Sequence, residues 1–459
     1  MTVLWTSDEI ADAIGGTVHG AFEVSGVAFD SREVEPGHLF VAMKGEATDG
    51  HRFLDRAFSA GAAGAIVSEE VGRPHVRVAD TAAALDALGR AARNRTGARI
   101  CGVTGSAGKT GTKEALYAAL DRAAPGEAHR SVKSYNNHVG VPLSLARMPR
   151  ETRFGVFEMG MNHAGELAAL TRLVRPHVAI VTAIASAHRA FFDSEEAIAD
   201  AKGEIFQGLE EGGTALVPHD SPYRNRLAAA ARPYASKVLS FGLGEGADIR
   251  ARDIVPTASG GSLVTATLPG AGLTFTISQP GDHWVSNALA VLGAVEALGG
   301  DLAQAGLALA DLPGLKGRGE RHRIALDGGE ALLIDESYNA NPASMAATLK
   351  TFGALSVSGR RIAVLGGMKE LGQSSDSFHA GLAGPVEAAG VALAILVGEE
   401  MEALAKALGA KVKMAHVPDT ATAIEVARSE ARPGDAILVK GSNSIGLAAL
   451  VEALAGGKS

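Results

Sequence analysis

Only one cysteine, Cys101, occurs in the 459 residues. No disulfide can close within the chain, which excludes the cross-linked frameworks of small secreted proteins. Aromatic side chains are scarce at 5%, so helices and sheets must pack through smaller groups, alanine above all. Positive charge is not in excess either. Lysine and arginine number 43 against 51 acidic residues, a net charge of −8, which removes the electrostatic footprint of a nucleic-acid binder. Any phosphate on a ligand must then be met by local groups. No apolar run approaches the ~20 residues that cross a bilayer. The opening stretch MTVLWTSDEIADAIGG has no basic segment followed by an apolar run, so neither a signal peptide nor stable membrane insertion is expected. Repeats and low-complexity linkers are also missing. These absences lead to the expectation of a soluble, cytoplasmic monomer.

What is present is globular: 46% hydrophobic, 20% charged, 57 scattered glycines. The length exceeds what one core supports, and three α/β domains are read from the pattern. A small N-terminal α/β domain covers 1–80, with short strands at 24–29, 38–42, 65–68 and 75–78 and a helix at 51–60. A central mononucleotide-binding α/β domain covers 81–313. It has a helix at 81–93, strands at 98–104, 154–159, 178–184 and 215–218, β-like alternation over 248–277 and a helix at 285–298. From 314 to 459 strands (331–334, 361–365, 393–397, 413–416, 436–439) alternate with helices (344–352, 377–389, 400–408, 420–431, 446–454). That alternation predicts a doubly wound, Rossmann-like parallel sheet covered on both faces.

The strongest chemical signal is ICGVTGSAGKTGTKEAL at 100–116. An apolar strand runs through Gly105, Ser106, Ala107 and Gly108 into a helix opened by Lys109, Thr110 and Gly111. Backbone N–H groups of such a loop, at the positive end of a helix dipole, make an anion site. Lys109 is expected to reach the β- and γ-phosphates of a nucleotide, and the Thr110 hydroxyl to hold Mg²⁺. Five residues, rather than four, separate Gly102 from Gly108, so the loop is a variant of the strict pattern. Glu158 ends the next strand, at the edge where a carboxylate can bind Mg²⁺. The strand VAIVTAI leads to His188 at the same edge.

One helix poses a puzzle. Ile198, Ala201, Lys202, Ile205, Phe206 and Leu209 recur in steps of three and four, one face of an α-helix. Five of the six are apolar, yet a lysine sits among them. Burial depresses a lysine pKa from ~10.4 by several units, and a neutral amine can add CO₂ to give a carbamate. Snorkelling from the stripe's edge, or pairing with Asp200 or Glu204, are the simpler fates.

Taken together, GVTGSAGKTGTKE, YNNHVGVP (135–142), EMGMNHAGEL (158–167) and AHRAFFDSEEAIADAKGEIF (187–206) resemble the Mur ligases. These are ATP-dependent enzymes that build the peptide of bacterial cell-wall precursors. DESYNANPASM (335–345) and GGMKELG (366–372) resemble the member that joins D-alanyl-D-alanine to UDP-N-acetylmuramoyl-tripeptide. The resemblance spans all three domains and implies an acyl-phosphate route to an amide, with ADP and phosphate released. It further implies ATP and two Mg²⁺ ions, with Thr110, Glu158, His188 and a carbamylated Lys202 about the metal. Asn136 and Asn137 fall where the family contacts substrate. Asn287 falls near the nucleotide base, Arg318 at the γ-phosphate, and Asp335, Tyr338 and Asn341 at the third domain's share of the nucleotide. DSREVEPGHLFVA (30–42) resembles the uridine site, with Ser31 and Arg32 the contacts. Without the family, Asp-Ser-Arg before a strand is only a turn.

Several positions depart from the family: Trp284 for a frequent asparagine, Ala183 and Ala185 for Asn and Gly, Gly367 for an aspartate. SNSIGL after Lys440-Gly441 replaces a turn that usually carries arginine. Three other readings compete. One is a related ligase that adds a single amino acid (another Mur enzyme, or a folylpolyglutamate synthase), which YNANP at 338–342 disfavours. A second is a nucleotide sensor without turnover. The third, an NAD site in the last domain, lacks its G-x-G-x-x-G.

Overall fold

The computed structural model describes residues 2–45, 48–185, 191–258 and 260–456. Three main sheets come from three successive stretches of chain. The first has the strand order Thr17–His19, His75–Arg77, Gly64–Val67, His38–Val41, Gly26–Ala28, parallel except for its first pair. A two-stranded ribbon, Trp5–Thr6 with Glu23–Val24, lies beside it.

The second sheet has nine strands. Third from one edge, Arg99–Thr104 lies between Phe154–Glu158 and Val178–Val181, all parallel. The chain therefore crosses from one side of the first strand to the other. In open α/β sheets that reversal opens a crevice at the carboxyl ends of the strands. Phe154–Glu158, Val178–Val181 and Thr214–Pro218 are buried at every position, the mark of a sheet covered on both faces. Its far edge is an antiparallel meander, Ile249–Pro256, Ser262–Thr267 and Gly272–Ile277, with a register shift between Ala251 and Asp253. The third sheet carries five parallel strands and an antiparallel edge strand, Glu320–Leu326.

The alternating pattern of the last third translates directly, with one break. The segment read as a helix over 377–389 is two short helices, Ser375–Ala380 and Ala383–Ala388. Short strands such as Thr17–His19, Ala128–Arg130 and Lys237–Gly242 went unread because two or three alternations carry no usable period. The lysine-bearing stripe is helical over Glu195–Gly203 and tightens to a 3-10 turn over Glu204–Gly208. Its positions from Ile198 to Phe206 are buried nonetheless, Lys202 to 1% exposure. Among the described residues no helix is long and apolar enough to cross a membrane.

The cores do not divide as the sheets do. Trp5, Ile10, Val24, Val27 and Ile66 of the first stretch share one apolar cluster with Ile100, Phe157, Met159, Ile198 and Phe206 of the second. The third sheet has its own clusters on its two faces. Trp5 locks the shared core: its Nε1–H donates to the Ala146 carbonyl at 2.9 Å, and the Arg95 guanidinium lies 3.3 Å from the ring centroid. Trp5→Ala is expected to cost about 3–5 kcal/mol, the range for removing a buried aromatic. Hydrogen exchange should show lost protection in the first and second sheets and unchanged protection in the third. Equal loss in all three would contradict a core confined to the first two.

Candidate active site

The strand Arg99–Thr104 ends and the helix Lys109–Ala123 begins across four residues, and glycine makes that turn possible. Gly105 has φ +149°, and a Cβ there would stand 1.9 Å from Thr182 Oγ1. Thr182 needs that space, because its hydroxyl lies 2.5 Å from the Ala107 carbonyl and 3.1 Å from that of Thr104. Gly108, at φ +82°, caps the helix, with the Asn287 amide packed beside it. Asn287 is therefore at the loop, on the helix Asp282–Leu298. The departure at Trp284 has a packing explanation: its indole covers Gly111, where a Cβ would come within 2.8 Å of the ring.

A cleft of about 430 Å³ opens above this loop. Ser106 to Thr110, Asn136 and Glu158 line it from the second sheet, and Arg318, Tyr338 and Asn341 from the third. Glu158 is 1% exposed. Its Oε2 accepts the Thr110 hydroxyl and its Oε1 the Asn136 amide, both at 2.8 Å. These are hard oxygen donors gathered at one point, the set that suits Mg²⁺. Lys109 Nζ donates to the Gly105 carbonyl at 2.7 Å. Burial lowers its pKa; the Glu158 carboxylate opposes that shift and the Arg318 charge adds to it.

Lys202 has its pKa pushed well below the usual value by burial and then by the charge on Lys109. The two acids that could have neutralised it are engaged elsewhere. Asp200 pairs with Arg226, and Glu204 accepts the N–H groups of Gly165 and Ala168 at the start of another helix. No hydrogen bond or ion pair to Lys202 is found among the described residues. His188 lies outside the described residues.

Other sequence-derived candidates take structural duties. Asn341 caps the helix Pro342–Gly353 while its Nδ2 reaches the Ser106 carbonyl at 3.4 Å. Asp335, 1% exposed, accepts the Gly317 N–H and the Ser337 N–H and hydroxyl. It thereby fixes the turn that presents Arg318, whose guanidinium lies 4.4 Å from the Tyr338 ring centroid. Asn137 Oδ1 accepts the N–H groups of Val139 and Gly140, and Asn137 does not line the cleft. A side chain at Gly367 would meet the Glu400 carboxylate at 3.1 Å, and Glu400 already pairs with Lys369. Lys440 donates to Glu336 and to the Asn339 carbonyl, bracing the loop that carries Tyr338.

Ser31 is buried, and Arg32 is exposed and paired with Asp30, whose pKa that hydrogen bond pulls down to about 2. Neither lines the nearby second cleft, which is walled by Gly26, Val27, Glu33, His38, Lys133 and Arg147 among others. Sequence reading missed Glu33, which gathers Lys133, the Tyr135 hydroxyl and Arg147. It also missed Lys113, fully buried, which donates to the carbonyls of Ser131 and Lys133. Lys113 was findable, because it stands four residues after Lys109 on the same helical face.

Comparison with known proteins covers the same three stretches. Residues 23–115 match the description "Mur ligase family, catalytic domain", 103–295 "Mur ligase middle domain", and 317–443 "Mur ligase, glutamate ligase domain". The UDP-N-acetylmuramoyl-tripeptide–D-alanyl-D-alanine ligase of Escherichia coli is 34% identical, with 98% of each chain covered. Its Bacillus subtilis namesake is 32% identical over the same shares. Among solved structures, MurF from Acinetobacter baumannii aligns at 30% identity with a TM-score of 0.85, covering 98% of this chain and 99% of the other. The MurF ligase of Thermotoga maritima in complex with ADP aligns at 26% and 0.75, covering 94% and 97%.

Gly105→Ala tests the loop. Strain of about 1–3 kcal/mol at one backbone position corresponds to roughly 5- to 150-fold, and nucleoside triphosphate binding by calorimetry should weaken within that range. Unchanged affinity would contradict the Thr182 contact as the reason for glycine.

Proposed function

The chain belongs to the Mur ligase family, and from that footing we propose that it is the ATP-dependent ligase that joins D-alanyl-D-alanine to UDP-N-acetylmuramoyl-tripeptide. The observation that carries this reading is the convergence, in one cleft, of the glycine loop, a buried carboxylate and an arginine from the third sheet. Full-length relatives of that name support the choice of substrates, as does the YNANP stretch at 338–342. The stretch 1–80 holds the uridine nucleotide, 81–313 the ATP, and 314–459 closes over both. Its need for ATP fits a cytoplasmic enzyme, and we read it as acting as a monomer.

In the reaction a carboxylate oxygen of the tripeptide attacks the γ-phosphorus, ADP departs, and an acyl phosphate forms. The D-alanyl-D-alanine amine then adds to the acyl carbon, and the tetrahedral adduct collapses to the amide with loss of phosphate. The protein's share is positioning and charge neutralisation. Loop N–H groups and Lys109 hold the phosphates, with Lys109 Nζ exchanging the Gly105 carbonyl for a phosphate oxygen. Arg318, aimed by the Asp335 turn, meets the γ-phosphate. The Thr110 hydroxyl and the Glu158 carboxylate would hold one Mg²⁺, and the family resemblance assigns His188 and the carbamate of Lys202 to a second; bound there, the ions would supply charge neutralisation for phosphoryl transfer. Closure of the third sheet against the loop excludes water that would hydrolyse the acyl phosphate.

Lys202 is proposed to act as its carbamate. The neutral amine attacks CO₂, a new N–C bond forms, and one N–H proton leaves to solvent. A buried lysine with a depressed pKa and no carboxylate partner among the described residues supports this, since the added carboxylate supplies both charge and oxygen ligands.

Two outcomes are expected. Purified enzyme given UDP-linked tripeptide and ATP should release phosphate on addition of D-alanyl-D-alanine, with one amide made per phosphate. A single amino acid serving equally well would overturn the substrate assignment. Lys202→Ala should lose about a hundredfold or more in kcat, on the scale of removing one charge-stabilising group. Short-chain carboxylic acids should restore part of it by filling the vacated space. Wild-type activity, or density for a bare amine in active enzyme, would end the carbamate proposal.

A further inference from the structure

The first sheet holds a cluster of side chains remote from either cleft. His19, on Thr17–His19, stands directly opposite His75, on His75–Arg77, in the antiparallel register. Facing cross-strand residues hold their Cβ atoms about 5 Å apart, so both imidazoles reach one point. Glu70, from the connection before His75–Arg77, comes to the same place: its Oε1 lies 3.1 Å from His19 Nδ1 and 4.0 Å from His75 Nε2. We propose that His19, Glu70 and His75 form a Zn²⁺-type site that staples the edge strand Thr17–His19 to the sheet.

His75 supplies the independent observation. It is 1% exposed, and its Nδ1 lies 2.8 Å from the Arg73 carbonyl. Only an Nδ1–H can make that bond, so the neutral ring carries its lone pair on Nε2. That nitrogen is buried without a hydrogen-bond partner among the described residues. An orphaned buried acceptor costs about 1–3 kcal/mol, and a cation at this point removes the cost. A ring oriented through its other nitrogen by a backbone carbonyl is also the usual support of a metal-bound histidine. Glu70 is supported in kind, its Oε2 held by Arg77 at 3.0 Å.

The donor set decides the metal. Two imidazoles and one carboxylate suit Zn²⁺ or a neighbouring transition ion rather than Mg²⁺ or Ca²⁺. Tetrahedral Zn²⁺ with bonds of about 2.0–2.2 Å places its ligands roughly 3.4 Å apart, between the two separations found. The rings are stacked, with centroids 4.5 Å apart and planes 5° from parallel. Binding therefore requires them to fan apart, while the exposed Glu70 swings inward. The fourth position opens to water.

The test uses the full chain, stripped with chelator and held in excess Mg²⁺ so that oxygen sites are filled. Zn²⁺ titrated by calorimetry should bind with one equivalent and raise the melting temperature, and Co²⁺ should give the visible bands of a tetrahedral ion. Glu70→Gln and His19→Asn alter side chains that reach the surface. Each should weaken Zn²⁺ by about tenfold or more and abolish the thermal gain with an unchanged circular dichroism spectrum. Absence of a Zn²⁺-dependent change, or binding that survives both variants, would overturn the site and leave an ordinary histidine–carboxylate ion pair.

Discussion

A carboxylate sealed from water has to be given donors or give up its charge, and Glu158 is given them by the segments that make the site. Thr110 comes from the first turn of the phosphate-loop helix, and Asn136 from the loop after Ala128–Arg130. The backbone N–H of Glu158 donates in turn to Ser131 Oγ. One buried anion thus fixes the helix start, the strand end and the 131–136 loop relative to one another. Removing either donor leaves a charge uncompensated in a dry place, a larger penalty than the loss of one contact. The arrangement is preorganised for a cation, which would find its oxygen ligands already assembled and oriented.

Two further links carry this arrangement outward. Lys113, on the same helix as Lys109, holds the carbonyls of Ser131 and Lys133, and Lys133 with Tyr135 reaches Glu33 on the first sheet. The phosphate loop is therefore continuous, through the buried Lys113 and the 131–136 loop, with the wall of the second cleft. On the other side Asn341 touches the loop at the Ser106 carbonyl, and Asp335 sets the turn before Arg318. The first two sheets share a core; the third has clusters of its own and meets the phosphate loop through polar groups such as Asn341.

Much of this was written in the sequence where the physics is local. A glycine loop between strand and helix, a parallel sheet of alternating elements and a lysine on an apolar stripe each depend on spacing alone, and each was legible. What escaped depends on distance in space. Nothing in the pattern around Trp5 singles it out, yet it joins two sheets through Arg95 and Ala146, far along the chain. Asp335 and Asn137 carry side chains suited to ligands, and only the fold shows their oxygens spent on backbone N–H groups. Glu33 lay immediately after the Ser31-Arg32 pair that the motif singled out, and it escaped because a motif cannot say which neighbour faces the cleft. The strand Thr17–His19 was too short to show a period, so the facing of His19 and His75 was invisible.

The central claim is that the cleft activates a substrate carboxylate by phosphorylating it. Isotope transfer tests this most directly. UDP-linked tripeptide carrying ¹⁸O in its terminal carboxylate is turned over with ATP and D-alanyl-D-alanine, and the released phosphate is analysed by mass spectrometry. An acyl phosphate delivers one ¹⁸O atom from the carboxylate to each phosphate formed. Phosphate free of the label, alongside normal amide formation, would contradict the account.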